Sequence, residues 1–147
     1  MSNCFKFPGL LLLALALAIP ALAAPPSDSK SIQGTWVPIK AELGGQPMGN
    51  DVLTNIVLKV HHGTYQVTVS GVIDKGTYSL DPEAKPKKMD IKGKEGPNAN
   101  QTIRCIYELH GDTLKVCYGL GDSPRPTEFK TWAGTQYFLV TYARTKS

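Results

Sequence analysis

The chain has 147 residues, of which 41% are hydrophobic and 19% charged, with three cysteines and a formal net charge of +4. That is the size of one domain with one core, and the balance excludes a disordered charged chain, a collagen-like repeat or a disulfide-dense scaffold. Its sequence pI of about 9.0 implies mild attraction to anionic surfaces, but the basic residues are scattered and no recognition helix or base-stacking motif accompanies them, which argues against nucleic acid as a partner.

The N-terminus reads as a leader. Lys6 precedes an apolar run from Leu10 to Ile19, Pro20 breaks it, and Ala21-Leu22-Ala23 places small residues where a signal peptidase reads them. The run is shorter than the roughly 20 apolar residues a membrane-spanning helix needs. Residues 1–24 are therefore expected to be a cleaved signal peptide, residues 25–30 a short polar linker and residues 31–146 the folded domain. Cys4 lies before the apolar run and not at the cleavage point, so it leaves with the leader and carries no lipid. Losing Lys6, the one charged residue of the leader, takes the formal charge from +4 to +3. The mature chain is expected to be exported, to the periplasm, cell envelope or exterior, without stable membrane insertion.

Beyond the leader, period-two alternation recurs and no sustained helical period appears, which predicts an all-β domain. The first strand surrounds Trp36. Pro38 interrupts it, and Val37, Ile39 and Ala41 alternate on the face opposite Trp36, so a bulge near Pro38 or a strand covered on both sides is required. A helical turn is expected near Asn50 to Asn55. Ile56, Leu58 and Val60 then share one strand face and Tyr65, Val67 and Val69 share one face of the next. A two-residue turn at His62-Gly63 pairs Val60 with Tyr65, Leu58 with Val67 and Ile56 with Val69, uniting both apolar faces in a single register.

Tyr78 and Leu80 mark the next strand and Met89 and Ile91 the one after, each with one wet face. Lys85, Lys87 and Lys88 lie in the intervening turn, where charge runs usually face water. In TIRCIYELHGDTLKVCYG, Gly111-Asp112 forms a two-residue hairpin turn that sets Leu109 opposite Leu114, Tyr107 opposite Val116 and Cys105 opposite Tyr118. Cys105 and Cys117 then fall on opposite faces, which disfavours a disulfide. A three-residue turn would slip the register and bring them together. The longest loop, GLGDSPRPTEFKTWAGT, is of the kind that forms lids or binding elements. Phe138, Val140 and Tyr142 alternate on the last strand, which ends at Arg144. About eight strands joined mostly by short turns predict a single antiparallel up-and-down β-barrel, which leaves no exposed edge.

Gly34-Thr35-Trp36 on the first strand is similar to the Gly-x-Trp signature of lipocalins. That resemblance implies that Arg144, near the end of the last strand, packs over Trp36 as a barrel-closing pair. In wider compass, IQGTW, GTYSLDPEAKPKKMDI, IYELHGDTLKVCYG and RPTEF resemble, in that order and spacing, an uncharacterised lipocalin-like domain that recurs in exported planctomycete proteins. The resemblance spans about Ile32 to Arg144. It implies a lipocalin-like barrel and hands over no activity, so function has to be argued from the site.

The registers point five tyrosines inward: Tyr65, Tyr78, Tyr107, Tyr118 and Tyr142. Trp36, Val67, Met89, Val116 and Phe138 complete the candidate lining. An eight-stranded barrel is just wide enough to be filled by its own side chains or to keep one small ligand. Apolar and aromatic walls with a few hydroxyls suit a small hydrophobic or amphipathic molecule, and binding without catalysis is the expectation. The alternatives are a filled barrel acting as an envelope interaction module and a small barrel enzyme.

No cofactor is expected. His61 and His62 are adjacent and would point to opposite faces of a strand, which does not suit one metal, and His110 beside the Gly-Asp turn reads as a surface histidine. Asp74, Asp81, Asp90 and Asp112 fall at turns or on wet faces, as turn chemistry favours. Arg125 is read as ordering the long loop, with a hold on an anionic ligand at the barrel mouth as the alternative. Asn100-Gln101-Thr102 matches a glycosylation sequon, a coincidence if the protein is bacterial.

Overall fold

The computed structural model describes residues 20–146. The signal-peptide reading, with Cys4 and Lys6, falls mainly on residues 1–19, outside the described residues. Among the described residues, two one-turn helices, α1 (Asp28–Ser31) and α2 (Asn50–Leu53), accompany nine strands. These are β1 (Gly34–Leu43), β2 (Gln46–Pro47), β3 (Ile56–His61), β4 (Thr64–Val69), β5 (Val72–Asp81), β6 (Lys87–Glu95), β7 (Thr102–His110), β8 (Thr113–Gly119) and β9 (Tyr137–Arg144). The sheet order is β2-β1-β3-β4-β5-β6-β7-β8-β9, and β1 also pairs with β9. Eight antiparallel strands thus close into the expected up-and-down barrel, with the two-residue β2 as an extra strand beside β1. No helix among the described residues is long and apolar enough to cross a membrane.

Both hairpins take the registers that their apolar faces demand. Val60 faces Tyr65 and Ile56 faces Val69 across the His62-Gly63 turn, while Tyr107 faces Val116 and Cys105 faces Tyr118 across the Gly111-Asp112 turn. Cys117 lies opposite Ile106 instead, and both cysteines are free thiols. On β1 the conflict between Trp36 and the later residues is resolved by a bulge. The β1–β9 register shifts between Pro38 and Lys40, leaving Ile39 59% exposed and returning Ala41 to the buried side with Trp36. A bulge inserts one unpaired residue, which is how a strand keeps one face in the core across an inverted alternation.

One end of the barrel is a floor. Trp36, Tyr107 and Leu114 are almost wholly buried there, and α1 crosses beneath them with Ile32 at its end. The indole of Trp36 donates to the Ile32 carbonyl at 2.8 Å. The Arg144 guanidinium lies 4.2 Å over the indole ring. It donates to the Ser31 carbonyl at 2.5 Å and to the Gln33 carbonyl, and pairs with Asp112 at 2.9 Å. On the far side of the floor, Asp28 accepts from Lys87 at 2.8 Å and from the Tyr107 hydroxyl at 2.7 Å. Burial raises the Asp28 pKa, but the hydrogen bonds from Lys87 and Tyr107 and the lysine charge outweigh it and hold the carboxyl below its ordinary 3.8.

The long loop after β8 lies along the outside of the wall. Arg125 donates to the Met89 and Cys105 carbonyls at 3.2 and 2.8 Å and pairs with Asp90 at 2.5 Å. Lys115 sits 5.1 Å over the Phe129 ring. The Thr131 hydroxyl donates to Glu42 and accepts from the Gly45 amide at 2.8 Å. The loop is therefore a strap from β6 across to β1, and Arg125 holds it to the outer wall, away from the mouth. It buries two residues on the outer face, Ile106 and Cys117, with the Cys117 thiol 4.0 Å from the Lys130 carbonyl.

Candidate functional site

The interior alternation converges on a cavity of about 260 Å³ inside the barrel. An apolar cavity of about 150 Å³ already accommodates benzene, so this one has room for a larger guest. Its lower wall is aliphatic, with Ile32 rising from the floor and Leu58, Val60, Leu114 and Val116 around it. Higher up, Met89, Ile91, Ile103, Phe138 and Leu120 continue the surface toward the open end. That end lies where β3, β5, β7 and β9 begin and β4, β6 and β8 finish. Its rim carries exposed apolar side chains, with Val69 at 40%, Val72 at 55% and Ile73 at 45%.

Of the sequence-expected lining, Tyr65, Val67, Tyr78, Met89, Val116, Tyr118, Phe138 and Tyr142 all face the cavity. Trp36 and Tyr107 do not: both belong to the floor beneath it, where each is fully enclosed by side chains. Alternation assigned them to the inner face correctly. It carries no information on depth along the barrel axis, and depth separates a floor residue from a wall residue.

Three of the four cavity-facing phenol hydroxyls, those of Tyr65, Tyr118 and Tyr142, are bonded within the wall. Tyr118 and Tyr142 bond to each other at 2.8 Å across the β8–β9 pair, and Tyr118 stacks on Phe138 with ring centroids 5.7 Å apart. Burial pushes the acidity of both phenols away from neutral pH, so they stay protonated. Tyr65 donates to Asp74 at 3.3 Å, and burial followed by the Asp74 charge keeps it protonated as well.

Asp74 is the residue that pattern reading placed wrongly. Expected on a wet face or at a turn, it is 6% exposed and turned inward at the cavity wall. Asp74, Gly76 and Tyr78 follow one unbroken period-two alternation along β5, with Asp74 opposite Val67 and Gly76 opposite Tyr65, so Asp74 shares the inner side with Tyr78. A strand read from Gly76 onward starts too late to include it. The turn after β6 completes the cluster. Asn98 donates its backbone N–H to Asp74 at 3.0 Å and its side-chain amide at 2.8 Å. This turn folds back over Gly93, where a Cβ would stand 1.8 Å from the Asn98 carbonyl, so only a glycine there lets Asn98 reach the cavity. A sequence signal did exist, since Gly93 sits at an inward position of an otherwise regular strand, where glycine marks a close backbone approach.

The other candidates stay outside this site. His61 and His62 lie at the β3–β4 turn with ring centroids 4.2 Å apart, and no cluster of three or more metal-binding side chains occurs among the described residues. Burial raises both thiols, Cys105 well above its ordinary value and Cys117 to about 11. Asp90 and Asp112 are on the outer surface, paired with Arg125 and Arg144.

No protein-family description and no curated protein matches the chain. Among solved structures, the chain is similar to the crystal structure of a DUF4847 family protein from Bacteroides vulgatus, at 14% identity and a TM-score of 0.48, with 80% of this chain and 96% of that chain covered.

Proposed function

We propose that the protein is an exported lipocalin-like barrel that encloses one small hydrophobic or amphipathic molecule and does no chemistry on it. The observation that carries this reading is the cavity of about 260 Å³ with its nearly continuous apolar wall. Enclosure is the mechanism: each 100 Å² of apolar guest surface removed from water contributes about 2.5 kcal/mol before the cost of immobilising the guest. The lipocalin-like affiliation, and the narrower resemblance to the domain of exported planctomycete proteins, belong to the same proposal. They are supported by Gly34-Thr35-Trp36 on β1 with the Arg144 guanidinium over the indole.

A filled interaction barrel is disfavoured by the cavity. An enzyme would need a group near the guest poised to exchange a proton near neutral pH. The cavity phenols Tyr65, Tyr118 and Tyr142 are all shifted the other way by burial, which supports binding alone.

Native mass spectrometry of the exported protein, followed by solvent extraction, tests the proposal. A reproducible non-covalent adduct is expected, lost when Val116, at the cavity wall, is changed to Trp in a variant that still unfolds cooperatively. A clean apo mass, with no thermal shift across apolar, alcohol, amine and acid probes, overturns it.

A further inference from the structure

An amphipathic guest must rest its polar end against something, and the wall offers little choice. Among the described residues, the cavity lining holds one carboxylate, Asp74, and no lysine, arginine or histidine. Asp74 acts as acceptor toward every partner it has: the Tyr65 hydroxyl at 3.3 Å, the Asn98 amide N–H at 3.0 Å and the Asn98 side-chain amide at 2.8 Å. A carboxylate offers about four acceptor positions, so one is left for a guest. The Tyr65 contact is the longest of the three and the one that a guest's donor could displace. Lys75, next along β5, pairs with Glu95 at 3.4 Å on the exposed side and leaves Asp74 without a cation.

The remaining polar groups of the wall set no preference of their own. The Asn98 side-chain amide is spent on Asp74, the Tyr118 and Tyr142 hydroxyls are bonded to each other, and a phenol, Tyr78 included, can donate or accept. The charge of the cavity is therefore decided by Asp74 alone. A carboxylate-headed guest would bring a second negative charge into a water-poor space with nothing to offset it, whereas an ammonium would complete the acceptor shell of Asp74 and balance its charge. The backbone holds Asp74 in this position. Gly93 and Gly96 admit the turn that carries Asn98, and at Gly96 a Cβ would stand 2.3 Å from the Ile73 carbonyl.

We propose that the cavity selects guests by the charge of the head group, taking amphiphiles whose polar end donates hydrogen bonds, alkylamines foremost, and rejecting alkyl carboxylates of the same chain length. This rests on the reading that the cavity holds a guest.

Titration calorimetry with n-octylamine, 1-octanol, octanoate and toluene at pH 7 tests it, using protein exported from the full-length chain. Octylamine is expected to bind tightest, octanol in between, and octanoate at least about tenfold more weakly than octylamine. In Asp74→Asn the two charged probes should come within about threefold of each other. Tyr65→Phe, which removes a competing donor, should widen the preference for the amine. Octanoate binding as well as octylamine in the unaltered protein overturns the proposal even if Asp74→Asn fails to fold, and so does a folded Asp74→Asn that keeps the original ratio. In those cases binding of toluene or octanol leaves the enclosure reading standing. If none of the four binds, both fall together.

Discussion

Replacing Arg144 by alanine removes at once the cation over Trp36, the donors to the Ser31 and Gln33 carbonyls and the pair with Asp112. A cation over an indole contributes about 0.5 to 2 kcal/mol and hydrogen bonds to charged groups about 1.5 to 3 kcal/mol, so a loss of about 3 kcal/mol is expected, read as a lower urea midpoint at unchanged slope. Arg144→Lys should recover less than half of it, because an ammonium lacks the planar fork that reaches several carbonyls. Asp28 gives a pH signature on the opposite side of the floor. Its folded pKa is depressed, so its contribution is present above the unfolded value near 3.8 and fades as pH falls through the folded value. Asp28→Asn should therefore cost about 1 to 2 kcal/mol at pH 7, with the gap to the unaltered protein narrowing as pH falls below the ordinary 3.8 in acid-titrated denaturant melts. A gap independent of pH would assign the loss to something other than the carboxylate charge.

The strap between β8 and β9 behaves as an element in its own right, anchored by side chains at Arg125, Phe129 and Thr131. Cys117 lies beneath it and Cys105 inside the barrel, which makes the two thiols reporters for different openings. Removing Arg125 deletes charged hydrogen bonds worth roughly 1.5 kcal/mol or more, enough for about a tenfold rise in the opened population. Arg125→Ala should accordingly speed alkylation of Cys117 about tenfold under native conditions while leaving Cys105 protected, as peptide mass mapping would show. Equal acceleration of both thiols would mean global destabilisation instead. The hairpins were legible in the sequence because Val60/Tyr65 and Tyr107/Val116 combine period-two alternation with two-residue turns, and a slip of one residue would expose a whole apolar face. The side of the barrel taken by the strap was not legible. Its anchors are single long-range contacts, Arg125 to β6 and β7 and Thr131 to β1, with no periodic trace. Asp74 escaped for a different reason: it shares the alternation of Gly76 and Tyr78, but β5 extends back to Val72, beyond the Gly76 at which the apolar pattern starts.

For the molecule as a whole, closure joins β1 to β9, which lie at opposite ends of the domain. Contacts between such distant segments are formed late and slowly, and barrels dominated by them fold in milliseconds to seconds. Trp36 reports that event directly, being enclosed in the floor, whereas Trp132 is 45% exposed. In a Trp132→Phe variant, stopped-flow refolding followed by Trp36 fluorescence should be dominated by a phase on that timescale. Deleting residues 137–146 should abolish it together with the cooperative melt. A guest that occupies the cavity at a hundred times its dissociation constant should stabilise the fold by about 2.7 kcal/mol, visible as a concentration-dependent shift in Tm.

The floor gives the barrel the geometry of a test tube and not of a pipe. With α1 fastened across one end by Asp28 on one side and Arg144 on the other, whatever enters would have to leave by the way it came, tail first in and polar end first out. A lengthening alkyl tail gains about 0.8 kcal/mol for each methylene it buries, but only until it touches Ile32. Past that length each added carbon has to stay in the water outside the rim, so the guest series carries a built-in ruler whose zero mark is the floor.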